Sequence, residues 1–254
     1  LFPLKLNLYV YKYAAFVAVL IVSTISLLLL DSKSNTTNED TVSYSELYVA
    51  YGQREKLVLP DGSQVTLNSD SYIRYPSKFT GETRMIEING EAFLNVHPDS
   101  TRQFIVRTEQ VDVKVLGTSF NVKAYTEDPL LTVSVRTGKV QVDMPEATMN
   151  LSPDEMIILY KNNGEFEKRH VDNKKISAWI NGELYFNQTP ISVVAKELER
   201  CYNCTIEIEG EGLKDELVFG EHSNESLESV LKAIEYAVGI KNRKEGERII
   251  LYKE

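Results

Sequence analysis

The sequence predicts a mainly β domain followed by a small α+β module, both preceded by one apolar helix. Short runs of alternating apolar and polar residues, separated by turn residues, extend from Tyr44 to Lys168 and are typical of antiparallel strands with one buried face. From about residue 176 the apolar residues recur at helical spacing, which indicates a second folding unit. Near the N-terminus, residues 14–30 carry no charge.

The charge-free run 14–30 is predicted to be a transmembrane helix. At about 1.5 Å per residue it would be roughly 26 Å long, which is the short end of the range for a bilayer core. A cleaved signal peptide is the alternative. Its apolar region is usually shorter and ends in a small-x-small site, which LLLLDSK at 27–33 does not contain.

The charges around this helix predict its orientation. Lys5 and Lys12 precede it, so the positive-inside rule places residues 1–13 in the cytosol as a short remnant and the chain after the helix in the periplasm. The predicted location is the inner membrane, with a single pass and a periplasmic bulk. Residues 31–41 are polar throughout and are predicted to be a linker.

The composition excludes some classes of function. The 254 residues carry a net charge of −9, whereas nucleic-acid binders need a basic surface against the phosphates. His97, His170 and His222 lie far apart without ligand spacing, and no familiar catalytic or phosphate-binding motif occurs. We therefore predict a protein that is not an enzyme, with no catalytic residues, cofactor or metal.

The predicted β domain spans residues 42–170. Val111, Val113 and Val115 alternate with polar residues, which indicates a strand with one buried face. Asp61-Gly62 has the composition of a tight turn, and Gly90 and Gly117 are expected at bulges or close backbone approaches. The aromatic residues expected in the core are Phe93, Phe104 and Phe120.

The predicted C-terminal module spans residues 176–254. Thr189-Pro190 is typical of a helix start, and the apolar stripe that follows predicts a helix over 190–202. A second stripe predicts another helix over 226–238. With strands at 184–186, 204–208, 217–219 and 248–252, the predicted order is β-α-β-β-α-β.

Three ordered motifs and the C-terminal segment resemble a known family. LVLPDGSQVTLNSDSYIRYP at 57–76, INGEAFLNVHPDSTRQFIVRT at 88–108 and VKVLGTSFNVKAY at 113–125 resemble FecR periplasmic sigma regulators. The segment that begins WINGELYFNQTPISVV resembles the C-terminal domain that accompanies FecR domains in Bacteroidota. In LSPDE, Asp154 stands where the family usually has glycine, and we expect only a local change of the turn there.

The resemblance implies an anti-sigma factor that spans the inner membrane. It implies a β-solenoid-like first subdomain and a second one similar to the short N-terminal domain of secretins and TonB-dependent receptors. The implied partners are the signalling domain of a TonB-dependent outer-membrane transducer and, through a cytosolic segment, an ECF sigma factor. The residues ahead of the helix are too few for a sigma-binding unit, so the anti-sigma activity is attributed to the intact protein.

Two short strands of the module are candidates for binding the transducer. They are unusually apolar and aromatic, and a small sheet leaves edges that another chain can extend. Burial of all six side chains in the core is the alternative. The candidate residues are Leu184, Tyr185, Phe186, Leu217, Val218 and Phe219.

Two further alternatives remain open at this stage. Cys201 and Cys204 fit either two core thiols or a disulfide in an oxidising compartment. A periplasmic polysaccharide-binding module is the alternative function, and it requires an exposed aromatic platform. The 14 tyrosines of the chain permit one, although Tyr44, Tyr48, Tyr51, Tyr72 and Tyr75 fit strand packing as well.

Overall fold

The protein is described here by a computed structural model. It describes the backbone of residues 8–33, 42–223 and 226–253, and the side chains within these ranges except those at 8–12 and 28–33. The chain divides into two units, Leu1–Thr41 and Val42–Glu254.

The described part of the first unit is one helix, α1 (Leu8–Lys33). Among the described residues, no helix combines the length and the apolar character that a bilayer crossing requires, so the membrane-span prediction for 14–30 is not confirmed. The predicted remnant at 1–13 and linker at 31–41 lie largely outside the described residues.

The second unit begins with the β domain, in which strands follow one another with short turns. Their bounds are β1 Tyr44–Val49, β2 Glu55–Val58, β3 Gln64–Leu67, β4 Ser71–Pro76, β5 Thr83–Asn95, β6 Gln103–Arg107, β7 Asp112–Val115, β8 Ser119–Ala124, β9 Leu130–Thr137, β10 Val140–Asp143, β11 Thr148–Leu151, β12 Glu155–Tyr160 and β13 Phe166–His170.

One long strand, β5, organises this sheet. Its first half pairs with β4 and β6, and its second half pairs with β3 and β8. The strands on the two sides of β5 curl into a half-barrel around the core. The mainly β prediction is therefore confirmed. Among the described ladders of this domain only β5–β6 is parallel, so the antiparallel description fits better than a solenoid.

The two halves of β5 meet at Gly90. Its φ is +106°, and a Cβ there would lie 2.4 Å from Ser71 Oγ and 2.7 Å from Ser71 Cα. A side chain would thus both strain the backbone and separate β5 from β4. The expected close approach at Gly90 is confirmed, and so is that at Gly117, where a Cβ would lie 2.7 Å from Pro98 Cα.

The aromatic residues divide between the two faces of the sheet. Phe104 and Phe120 are fully buried in the core, as predicted. The prediction for Phe93 is wrong. It lies between the buried residues Ala92 and Leu94 on β5, so its side chain points to the other face, where Arg136 lies 5.8 Å from the ring centre.

A short connection, with helix α2 (Asn173–Ile176) and a 3-10 turn at Ala178–Asn181, leads into the C-terminal module. The module has its own core, although it belongs to the same compact unit as the β domain. Its elements are β14 Glu183–Pro190, α3 Ile191–Tyr202, β15 Thr205–Glu209, β16 Leu217–Ser223, α4 Leu227–Val238, β17 Lys241–Glu245 and β18 Arg248–Tyr252.

The module contains one strand more than the sequence predicts. β17 reads KNRKE and has no apolar residue, so no alternation marks it. It forms because it pairs antiparallel with β18, which in turn pairs parallel with β15. β14 and β16 form a separate antiparallel pair.

The close approach of Gly90 to Ser71 can be tested with two alanine variants. Gly90→Ala and Gly62→Ala both place alanine at positive φ, but a Cβ at Gly62 meets nothing within 4 Å. We expect Gly62→Ala to lower the free energy of unfolding by about 1–2 kcal/mol. Gly90→Ala should cost roughly 1–3 kcal/mol more because of the overlap with Ser71. Urea unfolding of residues 42–254 measures both, and equal losses would contradict a steric role of Gly90.

Candidate functional site

The strand pair β14–β16, called the ribbon below, presents two different faces. Leu184, Phe186 and Val218 are buried in the core of the module. On the other face Leu217 is 46% exposed, Phe219 is 55% exposed and Tyr185 is partly exposed. Three of the six candidate residues are thus core residues, and the other three form an apolar outer face.

The ribbon has unpaired edges. Within the described residues β14 and β16 pair only with each other, so the outer backbone groups of each strand have no strand partner. The pairing shifts between Phe186 and Thr189, where Gln188 has a φ of +53°. Such edges are templates for strand addition by another protein.

A cavity of about 560 Å³ lies between the ribbon and the β domain. Its lining includes Leu130 of β9 and Met156 and Ile158 of β12. Trp179 and Tyr185 line it from the side of the module. The cavity is therefore bounded by both parts of the second unit, with apolar side chains on each.

A buried carboxylate is among the groups that line this cavity. Glu91 accepts hydrogen bonds from Asn68 Nδ2 at 2.8 Å and from Asn121 Nδ2 at 3.0 Å. Burial raises the pKa of Glu91 above its usual value, although the nearby Lys123 opposes the shift. Trp179 Nε1 donates to Asn121 Oδ1 at 3.0 Å and ties the connection to this cluster.

Lys123 joins β8 to helix α3. Its Nζ lies 2.7 Å from Glu197 Oε2, and both side chains are largely buried. Burial alone would lower the pKa of Lys123, but the carboxylates of Glu197 and Glu91 outweigh it and raise the pKa. The lysine is therefore charged and holds α3 against the sheet.

A second ion pair holds the same helix. Arg200 donates to both oxygens of Asp128, at 2.9 and 2.5 Å, and both side chains are 7% exposed. The guanidinium lies 3.7 Å from the ring centre of Tyr125, and the Arg200 carbonyl accepts from Gly52 N at 2.7 Å. A bidentate pair stacked on an aromatic ring fixes position and direction together.

The two ion pairs that hold α3, Lys123–Glu197 and Asp128–Arg200, are called the joint below. Cys201 and Cys204 follow the joint in the chain as free thiols, packed against the core of the module. Burial raises the pKa of Cys201 to about 12 and that of Cys204 to about 11. The arrangement is that of two protonated thiols, and a disulfide between them is not formed in this structure.

The histidines do not assemble into a site. His222 lies on β16 and its ring is 6.1 Å from that of Phe186. In the part of the chain that the structure describes, His, Cys, Asp and Glu side chains form no group of three that could hold a metal ion.

Family models and solved structures agree on what the chain resembles. The model described as FecR protein matches residues 45–141, and the model described as FecR, C-terminal, matches residues 183–251. The chain belongs to the FecR family. No curated protein matches it.

Two crystal structures of a proposed anti-sigma factor from Parabacteroides distasonis ATCC 8503 are similar to this FecR chain. Both are 53% identical to it. One has a TM-score of 0.82 and covers 84% of this chain and 100% of its own, and the other has a TM-score of 0.81 and covers 83% and 99%. The similarity therefore extends over both family matches and supports a regulator of the anti-sigma class.

The structure explains the departure of this FecR chain at Asp154. Its φ is +62°, a region that suits glycine and that aspartate also tolerates. The turn is therefore kept. Asp154 Oδ1 also accepts from Asn173 Nδ2 at 3.2 Å, a contact between the β domain and α2 that glycine cannot make.

The joint of the FecR chain can be tested through Asp128. Asp128→Asn removes the bidentate partner of the buried Arg200 and leaves only Asp70, whose Oδ2 lies 3.7 Å from Arg200 Nε, so we expect a loss of up to about 3–5 kcal/mol in the free energy of unfolding. Glu228→Gln is the matched control, because it breaks an ion pair with Lys232 that is fully exposed and screened by solvent, so it should change stability little.

Urea unfolding followed by tryptophan fluorescence is the measurement. Trp179 is the single tryptophan of the chain and is buried with its Nε1 bonded to Asn121 of the β domain, so a red shift of its emission reports separation of the connection and the module from the β domain. Equal midpoints for the two variants would contradict the assigned role of Asp128.

The thiols give a second test. Since the pKa values of Cys201 and Cys204 are raised to about 12 and 11, little thiolate exists at pH 8. We expect slow reaction with a disulfide reagent in the folded protein and rapid titration of both thiols in urea, without any reductant. Absence of titratable thiol after unfolding would show that the disulfide forms instead.

Proposed function

We propose that this FecR-family chain is the receptor part of an anti-sigma regulator that responds to a TonB-dependent outer-membrane transducer. The signalling domain of the transducer is the proposed partner on one side, and an ECF sigma factor is the proposed partner on the cytosolic side. Membership of the family and the similarity to a proposed anti-sigma factor support a regulatory role.

We also propose that the chain is anchored in the inner membrane with residues 42–254 in the periplasm. The charge-free run 14–30 and the preceding Lys5 and Lys12 support this orientation. A receptor that meets an outer-membrane protein needs its binding surface on the periplasmic side, so the anchor and the partner are consistent with each other.

The observation that carries the proposal is the outer face of the ribbon. Leu217 and Phe219 are about half exposed, and together with Tyr185 they form an apolar patch beside unpaired strand edges. Exposed apolar patches of this kind mark protein interfaces. A β-structured partner could extend the ribbon through its backbone, cover Phe219, and contact Tyr185 and Leu217 where they line the cavity.

The ribbon is also connected to the joint. Lys175 of α2 forms an ion pair with Glu221 of β16, and Lys123 holds α3 close to the same cavity. A partner that displaces β16 would therefore strain the contacts that hold the module on the β domain. This gives a physical route from the binding face to the rest of the second unit.

The test is a binding measurement with the purified signalling domain of a TonB-dependent transducer from the same organism. Tyr185→Lys and Phe219→Lys place a charge in the proposed interface, and we expect each to weaken binding by at least about tenfold. Tyr236→Lys is the matched control, because Tyr236 lies on α4 and is 96% exposed outside the ribbon.

Circular dichroism of each variant separates an interface effect from unfolding. An unchanged spectrum with lost binding for the ribbon variants supports the proposal. Equal binding by all three variants, with their folds intact, would contradict the ribbon as the docking site.

A further inference from the structure

The outer face of the β domain carries a row of aromatic and amide side chains. Tyr48 on β1 pairs directly with Tyr72 on β4, and Tyr72 pairs with Asn89 on β5. Side chains at paired positions point to the same face of a sheet, so these three groups lie side by side across three strands. Tyr48 is 58% exposed, which leaves its ring accessible.

A cleft of about 310 Å³ lies along this row. Asp70, which has a φ of +57°, accepts a hydrogen bond from Tyr48 Oη at 2.9 Å. Asn89 Nδ2 donates to Thr126 Oγ1 at 2.6 Å. The remaining lining groups are contributed by Tyr125, Glu127 and Arg200.

The chemistry of this cleft is mixed aromatic and polar. Its lining consists of three tyrosines and five residues with hydroxyl, amide, carboxylate or guanidinium groups, and it includes no aliphatic side chain. The ribbon, in contrast, exposes Leu217 and Phe219. A protein partner would favour the apolar ribbon, whereas the cleft suits a ligand that has both apolar C–H faces and many hydroxyl groups.

The charge of the cleft further limits the classes of ligand that it can bind. Asp70 and Glu127 outnumber Arg200, and Arg200 already binds both oxygens of Asp128 and lies 3.7 Å from Asp70 Oδ2. An anionic polymer would meet net negative charge with no available cation. Neutral hydroxyl groups, however, can donate to the carboxylates and accept from the amide of Asn89.

We infer that this cleft is a binding site for a neutral oligosaccharide. The ring of Tyr48 would stack against the C–H face of one sugar, and Asp70, Asn89 and Glu127 would bind its hydroxyl groups. Tyr44 lies four residues before Tyr48 on the same face of β1, roughly 13 Å away along the strand. Tyr44 is 54% exposed, but the guanidinium of Arg74 lies 4.2 Å from the centre of its ring and covers one face, so Tyr48 provides the main stacking surface.

This inference does not depend on the proposed transducer partner, because the cleft and the ribbon share no lining residue among those described. The exposed aromatic platform that a polysaccharide-binding module requires is present on this face. The site is therefore additional to the ribbon.

Isothermal titration calorimetry of residues 42–254 tests the inference. The probes are cellohexaose, xylohexaose, mannohexaose and maltohexaose, with an oligogalacturonate as the anionic comparison. We expect at least one neutral hexasaccharide to bind and the oligogalacturonate not to bind. Tyr48→Ala and Tyr72→Ala should each weaken that binding about tenfold through loss of ring contact.

Tyr236→Ala is the matched control and should bind as the unmodified protein does, since Tyr236 is an exposed tyrosine on α4. Circular dichroism checks that each variant is folded, and exposed Tyr48 is the substitution least able to disturb the core. Lack of binding by every neutral probe at millimolar concentration overturns the inference. Binding that Tyr48→Ala and Tyr72→Ala leave unchanged, or binding of the oligogalacturonate alone, also overturns it.

Discussion

The buried guanidinium of Arg200 is the contact on which the arrangement of the second unit depends. Asp128 binds it through both oxygens, Tyr125 stacks on it, and the backbone of Gly52 donates to the carbonyl of the same residue. A buried arginine that loses its counter-ion costs several kcal/mol, so intermediate positions of the module are unfavourable. The pair therefore favours the one position of the module in which the guanidinium keeps these contacts.

The cavity beneath the ribbon and the tyrosine cleft are both lined in part by residues of helix α3. Glu197 faces the cavity beneath the ribbon, whereas Arg200, one turn later, lines the tyrosine cleft. A ligand bound at either place would therefore contact residues of the same helix. Any coupling between the two surfaces would have to be reciprocal, because it would be a free energy shared by the two binding steps.

Local patterns predict much of this fold, whereas contacts between distant residues are not predictable from them. Alternation marks the strands around Val113, and helical spacing marks α3 and α4. β17 is not predicted because its residues KNRKE show no apolar alternation. It is a strand because it pairs with its neighbour β18. Asp61 is predicted as a turn residue, but it is also the counter-ion of the fully buried Arg84, 23 positions away. Three of the six candidate interface residues are core residues, because alternation alone does not show which face of a strand is covered.

The ion pairs of the joint cannot be predicted from the sequence either, because their partners are far apart in the chain. The order of their charges is nevertheless informative. Lys123 pairs with Glu197 and Asp128 pairs with Arg200, so two charges of opposite sign on the β domain meet two of opposite sign on one turn of α3. A helix docked in the reverse direction would place Glu197 against Asp128 and Arg200 against Lys123, with like charges buried together. If both charges on the β domain had one sign and both charges on α3 had the other, either direction of docking would pair opposite charges. The alternating order therefore selects one direction of docking through the cost of the wrong one.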